Sequence, residues 1–414
     1  MLIETLALLR CPFCGTRLSV VENAALERGP ARIHSGVLGC ECCAFPVVAG
    51  IPVLIADDRT RDAMHALEAG RGGDALHLLL GLHGKRLPAF RELVASGRAT
   101  YRNLLPLLCE DAEADYMLPR FSDPTYLLIE ALLDSLGRNR SPASAPERAL
   151  DLCGGSGHVT RALLRQPACN GTVLADVHFW KLWLAARIVA PDCEPVCCDA
   201  NSPLPFADRL FGTVLLSDAF PYIWHKRMLA GEMQRVATAD GVVAMPHLHS
   251  AHGENYSAGD TLSPAAYRDL FAPLEPRLFD DRPLLDGVLD DRVVDLANDV
   301  SPAECGDTAS MTLVATRDAT VYRRHDVFER LEVNGVLTVN PLYRVDFANG
   351  VSRLVLTFPT PEYEDEFALV KRYLPKSVTL DSDPRGALTP TGIGARYAEL
   401  RRRRVLLDVP AGYC

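Results

Sequence analysis

From Ala149 to Leu164 the chain reads Ala-Leu-Asp-Leu-Cys-Gly-Gly-Ser-Gly-His-Val-Thr-Arg-Ala-Leu-Leu, and few architectures accept such a stretch. An apolar run ends in Asp151, and the backbone turns through Gly154, Gly155 and Gly157. A helical pattern then starts at once, with Val159, Ala162 and Leu163 on one face. The pattern predicts a strand, a tight turn and a helix N-terminus. Glycines suit a backbone that must approach a ligand closely or take positive φ, and the free N–H groups of the helix start favour anionic or electron-rich ligand atoms.

The motif recurs in weaker form downstream. Thr172–Asp176 reads as a second strand ending in an acid, 25 positions after Asp151, about the length of one βα unit. Pro195–Ala200 ends a third strand at Asp199, and Leu204–Asp218 leads through a fourth to Ser217 and Asp218. Each acid falls at the carboxyl end of a strand, the edge at which open parallel sheets bind ligands. The turn lacks the Gly-x-Gly-x-x-Gly register of nicotinamide-binding proteins, and that reading would leave the later acids unexplained.

Taken together, Asp151 to Gly157, Asp176, Asp199-Ala200 and Leu-Pro-Phe-Ala-Asp208 before Asp218 resemble a class I S-adenosylmethionine (SAM)-dependent methyltransferase over residues 145 to 317. The family commonly has glycine where this chain has Cys153. The resemblance implies SAM as cofactor. Asp151, Gly154, Gly155 and Gly157 would hold its methionine part, Asp176 the ribose and Asp199-Ala200 the adenine edge, with Ser217 and Asp218 closing the pocket.

Near the amino terminus, Cys11-Pro-Phe-Cys14 and Cys40-Glu-Cys-Cys43 form two knuckles at Cys-x-x-Cys spacing. Four thiolates from Cys11, Cys14, Cys40 and Cys43 are expected to hold a structural Zn²⁺, with a hairpin in the segment between the knuckles. Cys42 is a fifth thiol there, and a shifted ligand choice stays open. With Leu8-Leu9-Arg10 before the first knuckle and Ala-Phe-Pro46-Val-Val-Ala-Gly50-Ile-Pro-Val-Leu54 after the second, the segment resembles the small zinc-ribbon proteins that activate methyltransferases as partners. The resemblance implies a ribbon fused to its client. Residues 1 to 56 carry four Arg and four Glu, without the positive excess that tracking phosphates needs.

Composition bounds the alternatives. The 414 residues suffice for two or three domains, and 43 Lys and Arg against 53 Asp and Glu leave a net charge of −10. Nucleic acid is therefore not expected as a partner, and no apolar run could span a bilayer. Met1-Leu-Ile-Glu4 lacks the basic start of a signal peptide, and thirteen cysteines clustered in a chain of this size read as reduced thiols plus a metal site. A cytoplasmic protein is expected.

The fold expected is α/β: a Rossmann-like seven-stranded methyltransferase sheet with an N-terminal zinc ribbon, a helical lid and a C-terminal antiparallel β-rich domain. The expected boundaries are 1–56 for the ribbon, 57–140 for the lid, 141–317 for the SAM domain and 318–414 for the last domain. Ser141–Pro146 reads as a linker, and Ser310–Thr316 as the strand that closes the sheet. Tyr116 and Arg120 would line the pocket from the lid. After a strand at Gly241–Met245, His247, His249 and His252 face the pocket, and together with Asp218 and Tyr222 they are the candidate catalytic residues. One histidine would act as base, with metal binding by His-x-His as the alternative, though no companion carboxylate cluster is visible in the sequence. Beyond residue 318, Asn334-Gly335 and Asn349-Gly350 read as hairpin turns, the first joining strands 328–333 and 336–339. The last domain could shape the pocket, contact a partner or form a homodimer surface. The substrate class expected is a small molecule or peptide with an oxygen, nitrogen or sulfur nucleophile. RNA methylation, other SAM chemistry or an inactive scaffold are the alternatives.

Overall fold

The computed structural model describes all residues except 139–146, 168, 254–258, 382, 385 and 387, so the expected linker at Ser141–Pro146 lies outside the described residues. A seven-stranded sheet organises the chain. In chain order its strands are Glu147–Leu152, Cys169–Asp176, Glu194–Cys197, Phe211–Leu215, Ala237–His249, Arg277–Asp280 and Ser310–Ala315. Across the sheet they run sixth, seventh, fifth, fourth, first, second, third. The first five are mutually parallel, and the seventh is antiparallel to both the fifth and the sixth between which it lies. Leu150, Leu174, Val196, Val214 and Val243 are almost fully buried, as strands covered on both faces require. The strand order reverses between the first and fourth strands, and their carboxyl ends open there toward the ligand edge.

The ribbon is not a detached bead. Its strands Ser19–Val21, Ile33–Gly39 and Ala44–Val48 form an antiparallel sheet with Ile51–Pro52. The chain then leaves through Val53, which bridges Cys197 in parallel, with the Leu54 N–H donating to the Cys197 carbonyl at 2.7 Å. The ribbon thereby covers the free edge of the third strand, where unpaired backbone groups would otherwise be exposed. Leu9, Leu38, Phe45 and Val47 pack in one core with Leu150, Val173, Val196 and Phe206. Glu194 fastens the contact, accepting from the Leu2 N–H at 2.8 Å and the Thr5 hydroxyl at 3.1 Å.

Six helices follow, from Asp58–Glu68 to Pro124–Arg138. Asp57 caps the first by accepting from the Thr60 N–H, and Thr100 with Asn103 forms a capping box on Tyr101–Leu108. The helix Asp111–Met117 lies over the carboxyl edge of the sheet, tied down by Glu113 to Lys181 at 2.8 Å. Among the described residues no helix is long and apolar enough to cross a membrane.

The last quarter is antiparallel, with one correction. Asn349 and Gly350 do make the tight turn between Tyr343–Ala348 and Val351–Leu356, both with φ above +50°. Asn334-Gly335 does not make a hairpin, and residues 328–333 form no strand. Val336–Val339 instead pairs with Leu406–Val409, a partner far along the chain. Gly335 is small because backbone passes against it: a Cβ there would stand 2.1 Å from the Val409 carbonyl oxygen. Its N–H donates to Asp408 at 2.8 Å.

Candidate functional site

A cavity of about 520 Å³ opens at the carboxyl edge of the sheet, within the range of ordinary cofactor sites. Asp151, Gly154, Gly155, Asp176, Asp199, Ala200, Ser217 and Asp218 line it, and Tyr116, Arg120 and Tyr222 complete its wall and rim. Gly157, the first residue before the helix His158–Leu164, lies behind that wall with φ +82°.

The turn has the strain its sequence implies. A Cβ at Gly154 would stand 2.5 Å from the Asp151 carboxyl group and 2.6 Å from Leu174. Gly155 and Gly157 have positive φ, and so does Cys153, at +57°. An L-residue in that region costs about 1–2 kcal/mol, of which the greater freedom of an unfolded glycine takes back roughly 0.5–1. Cys153→Gly is therefore expected to raise Tm by about one or two degrees in differential scanning calorimetry and Cys153→Val to lower it. A fall in Tm for the glycine variant would assign the thiol a role beyond its backbone.

Each acid has a distinct setting. Asp151 is buried and accepts from the Thr160 hydroxyl at 2.6 Å, and burial pushes its carboxyl up to about 7. Burial acts on Asp176 in the same sense, but hydrogen bonds from His178 and the nearby Lys181 outweigh it and hold the carboxyl below its usual range. Its oxygens accept from the Gly155 N–H at 2.9 Å and the His178 N–H at 2.8 Å. Asp199 accepts from the Asn201 N–H at 2.8 Å. The Ser217 hydroxyl is buried against the cavity without a hydrogen-bond partner among the described residues, a polar atom that a ligand would satisfy.

Strand order, reversed seventh strand, glycine turn and the acids at one edge decide the fold. It is a class I methyltransferase fold. No family model and no curated protein matches the chain. Solved structures that resemble it include a chain from the Haloferax volcanii complex of the Trm112 methyltransferase activator with a candidate methyltransferase, 17% identical over 53% of this chain and 98% of that one, TM-score 0.35. Others are SAM-dependent methyltransferases from Thermotoga maritima (13% identical, 50% of this chain and 95% of that one, TM-score 0.34) and Aquifex aeolicus (13%, 49% and 97%, TM-score 0.33). At such scores the likeness adds nothing to the strand order.

Asp218 follows the fourth strand with φ +59°, and its carboxylate is the hub of a polar cluster. His249 Nε2 is 3.0 Å from one oxygen, and the Tyr116 hydroxyl donates to the other at 3.1 Å. Arg120 donates to the Tyr116 oxygen at 2.6 Å and to Asp123 at 2.9 Å. Burial would raise Asp218, but His249, His247 and Arg120 pull it down to about 2. The expected strand at Gly241–Met245 runs on to His249, with a bulge between Met245 and Leu248 that turns His247 to φ +58°. The rings of His247 and His249 lie 4.9 Å apart. His252 corrects the expectation. It is exposed in a turn whose N–H donates to Ser250, and it does not join the other two histidines because the strand has already ended.

Several partners had no sequence signal. Asp281, 34 residues from His247, sits 3.2 Å from its Nδ1 and itself accepts from the Thr312 hydroxyl at 2.6 Å. Under the glycine turn, the Ser156 hydroxyl meets the Tyr101 hydroxyl at 2.7 Å and His158 meets the Tyr413 hydroxyl at 2.7 Å.

The cysteine site needs a second correction. The four thiols that converge are Cys11, Cys14, Cys40 and Cys42, not Cys43. Sulfur separations of 3.7 Å for Cys11–Cys42, Cys14–Cys40 and Cys40–Cys42 match the edge of about 3.8 Å that a tetrahedron with 2.3 Å Zn–S bonds requires. Cys43 packs against the core, and its backbone N–H donates to the Cys40 sulfur at 3.2 Å. The second knuckle thus offers its thiols at i and i+2, with i+3 spent on the adjoining strand Ala44–Val48.

Proposed function

We propose that the protein is a SAM-dependent methyltransferase acting on an oxygen, nitrogen or sulfur nucleophile of a small molecule or peptide. The observation that carries this reading is the convergence of Asp151, Asp176, Asp199 and the glycine turn on one cavity. SAM supplies an electrophilic methyl group on a sulfonium, and in-line displacement leaves the protein chiefly the work of alignment. The turn N–H groups and Asp151 would take the aminocarboxyl end, Asp176 the ribose hydroxyls and Asp199-Ala200 the adenine. Ser217 and Asp218 close the site, with Tyr116 and Arg120 above them. The nucleophile would arrive between Asp218, Tyr222, His247 and His249, the groups able to orient it and receive its proton.

In this reading the ribbon is structural. Four sulfurs would fill a Zn²⁺ and leave no open position, and its work is to cover the sheet edge. The acidic balance favours a small or peptidic acceptor over RNA, and reduced thiols suit the cytoplasm.

Calorimetric titration of the zinc-loaded protein with SAM tests the core of this; absence of binding overturns it. The Asp151 carboxyl adds a pH signature. Free protein holds it at about 7, whereas the cofactor ammonium favours the ionised form, so affinity for SAM should rise with pH, roughly ninefold from pH 6 to 8 as the ionised fraction goes from about 0.1 to 0.9. Asp151→Asn should flatten that profile. Without ligand the sign is opposite. A carboxyl raised on folding binds its proton in the folded chain after the unfolded chain has lost it, so this group's contribution to stability falls between about pH 4 and 7.

A further inference from the structure

We propose that Asp218, His247 and His249 bind a divalent first-row transition-metal ion that holds and acidifies a hydroxyl of the methyl acceptor. This rests on the methyl-transfer reading of the same cavity and narrows its substrate to an oxygen nucleophile.

The three residues offer one ligand atom each, all within 4.8 Å of one another. Donors about 2.1 Å from an ion and at right angles stand roughly 3.0 Å apart, and the His249–Asp218 spacing of 3.0 Å matches one edge of such a set. The outer contacts leave the right atoms for an ion. Asp281 engages His247 at Nδ1, leaving Nε2 as its donor, and Thr312 fixes Asp281 in turn. Tyr116 occupies one oxygen of Asp218, and the other faces His249 Nε2, so both donors point to one place. A carboxylate behind a ligating histidine, itself hydrogen-bonded, is the usual support of a metal site.

Charge and backbone agree. The carboxylates of Asp218 and Asp281 face the two imidazoles, at 3.0 Å from His249 and 3.2 Å from His247, and Arg120 comes within 4.0 Å of Asp218, a negative balance that a dication would offset. Asp218 and His247 are both held in the left-handed region, at about 1–2 kcal/mol each, and strain of that kind persists where the fold needs a side chain aimed. Two imidazoles and one carboxylate select Fe²⁺, Co²⁺, Ni²⁺ or Zn²⁺ over Mg²⁺ or Ca²⁺, and three protein ligands leave coordination positions open. Of the three, Asp218 lines the cofactor cavity while His247 and His249 stand behind it, so an ion held by them would adjoin the methyl donor's site through Asp218.

The step balances without a further reactant. The hydroxyl loses its proton to water, and the oxygen lone pair forms the O–CH3 bond. The S–CH3 bond breaks with its electrons on sulfur, giving a neutral thioether. His247 and His249 then act as ligands rather than as bases.

The test is a Co²⁺ titration of the full chain with its ribbon already loaded with zinc, followed by calorimetry and visible absorption. One further equivalent is expected, with the weak bands of nitrogen- and oxygen-ligated Co²⁺ rather than the strong bands of a thiolate site. His247→Ala with His249→Ala should abolish it, and Asp281→Asn, which changes only the support of His247, should weaken it 10- to 100-fold. SAM titration of each variant reports an intact cavity. If the double variant does not fold, the wild-type stoichiometry and the Asp281→Asn affinity decide. No second ion in the wild type, or equal uptake by the variants, overturns the proposal. Failure of SAM to bind overturns the methyltransferase reading instead and leaves the ion titration unaffected.

Discussion

Asp176→Ala should lower the affinity for SAM by about 100-fold or more, the largest loss expected from a single substitution in the cavity. The side chain is buried, ionised and already aligned: its two oxygens face the Gly155 and His178 N–H groups. A ribose diol would donate to the same carboxylate, and charged hydrogen bonds contribute about 1.5–3 kcal/mol each, so losing two reaches at least the 2.7 kcal/mol of a 100-fold change. Gly155→Val should match it by another route, since a β-branched residue at φ +57° must move the turn. Unchanged calorimetric affinity in both variants would remove the nucleoside pocket from the protein. Asp176→Asn, which keeps the shape and loses the charge, should fall between wild type and alanine.

The second large effect is expected at the ribbon. Cys42→Ser should release the zinc, while Cys43→Ser should keep one ion per chain by atomic emission. Structural zinc contributes about 10–16 kcal/mol in zinc-finger peptides, comparable to the whole stability of a domain at about 5–15 kcal/mol. The ribbon shares its core with the first three strands of the main sheet, so its loss exposes the edge at Cys197 as well as Leu38, Phe45 and Val47. Cys42→Ser should therefore unfold or aggregate at temperatures where Cys43→Ser and wild type remain folded. Zinc retained in Cys42→Ser and lost in Cys43→Ser would restore the simple Cys-x-x-Cys reading of the second knuckle.

Spacing alone points to Cys43, because the first knuckle, Cys11 to Cys14, sets the precedent. The choice falls to Cys42 because the second knuckle runs straight into the strand Ala44–Val48, which leaves the Cys43 sulfur beside Cys42 at 3.4 Å and outside the four-sulfur cluster. The same kind of reason undoes the Asn334-Gly335 hairpin: an Asn-Gly pair marks a place where only glycine fits, and sequence does not say whether a turn or a passing strand makes it so. His252 separates from His247 and His249 for want of a boundary, since the extent of the fifth strand depends on its pairing with the seventh.

What the sequence determined unaided is the local chemistry: an acid at each strand end, glycines where Cβ has no room, two cysteine knuckles, and the α/β class that these require. Periodicity and turn geometry act over a few residues, and one chain suffices to read them. Tertiary structure decided which distant groups share a site. Asp281 behind His247, Tyr116 and Arg120 on Asp218, and Val53 beside Cys197 are all pairings between segments far apart in the chain. Nothing in the residues themselves sets such pairings. They follow from the order in which strands enter the sheet and from the cores that must be buried together.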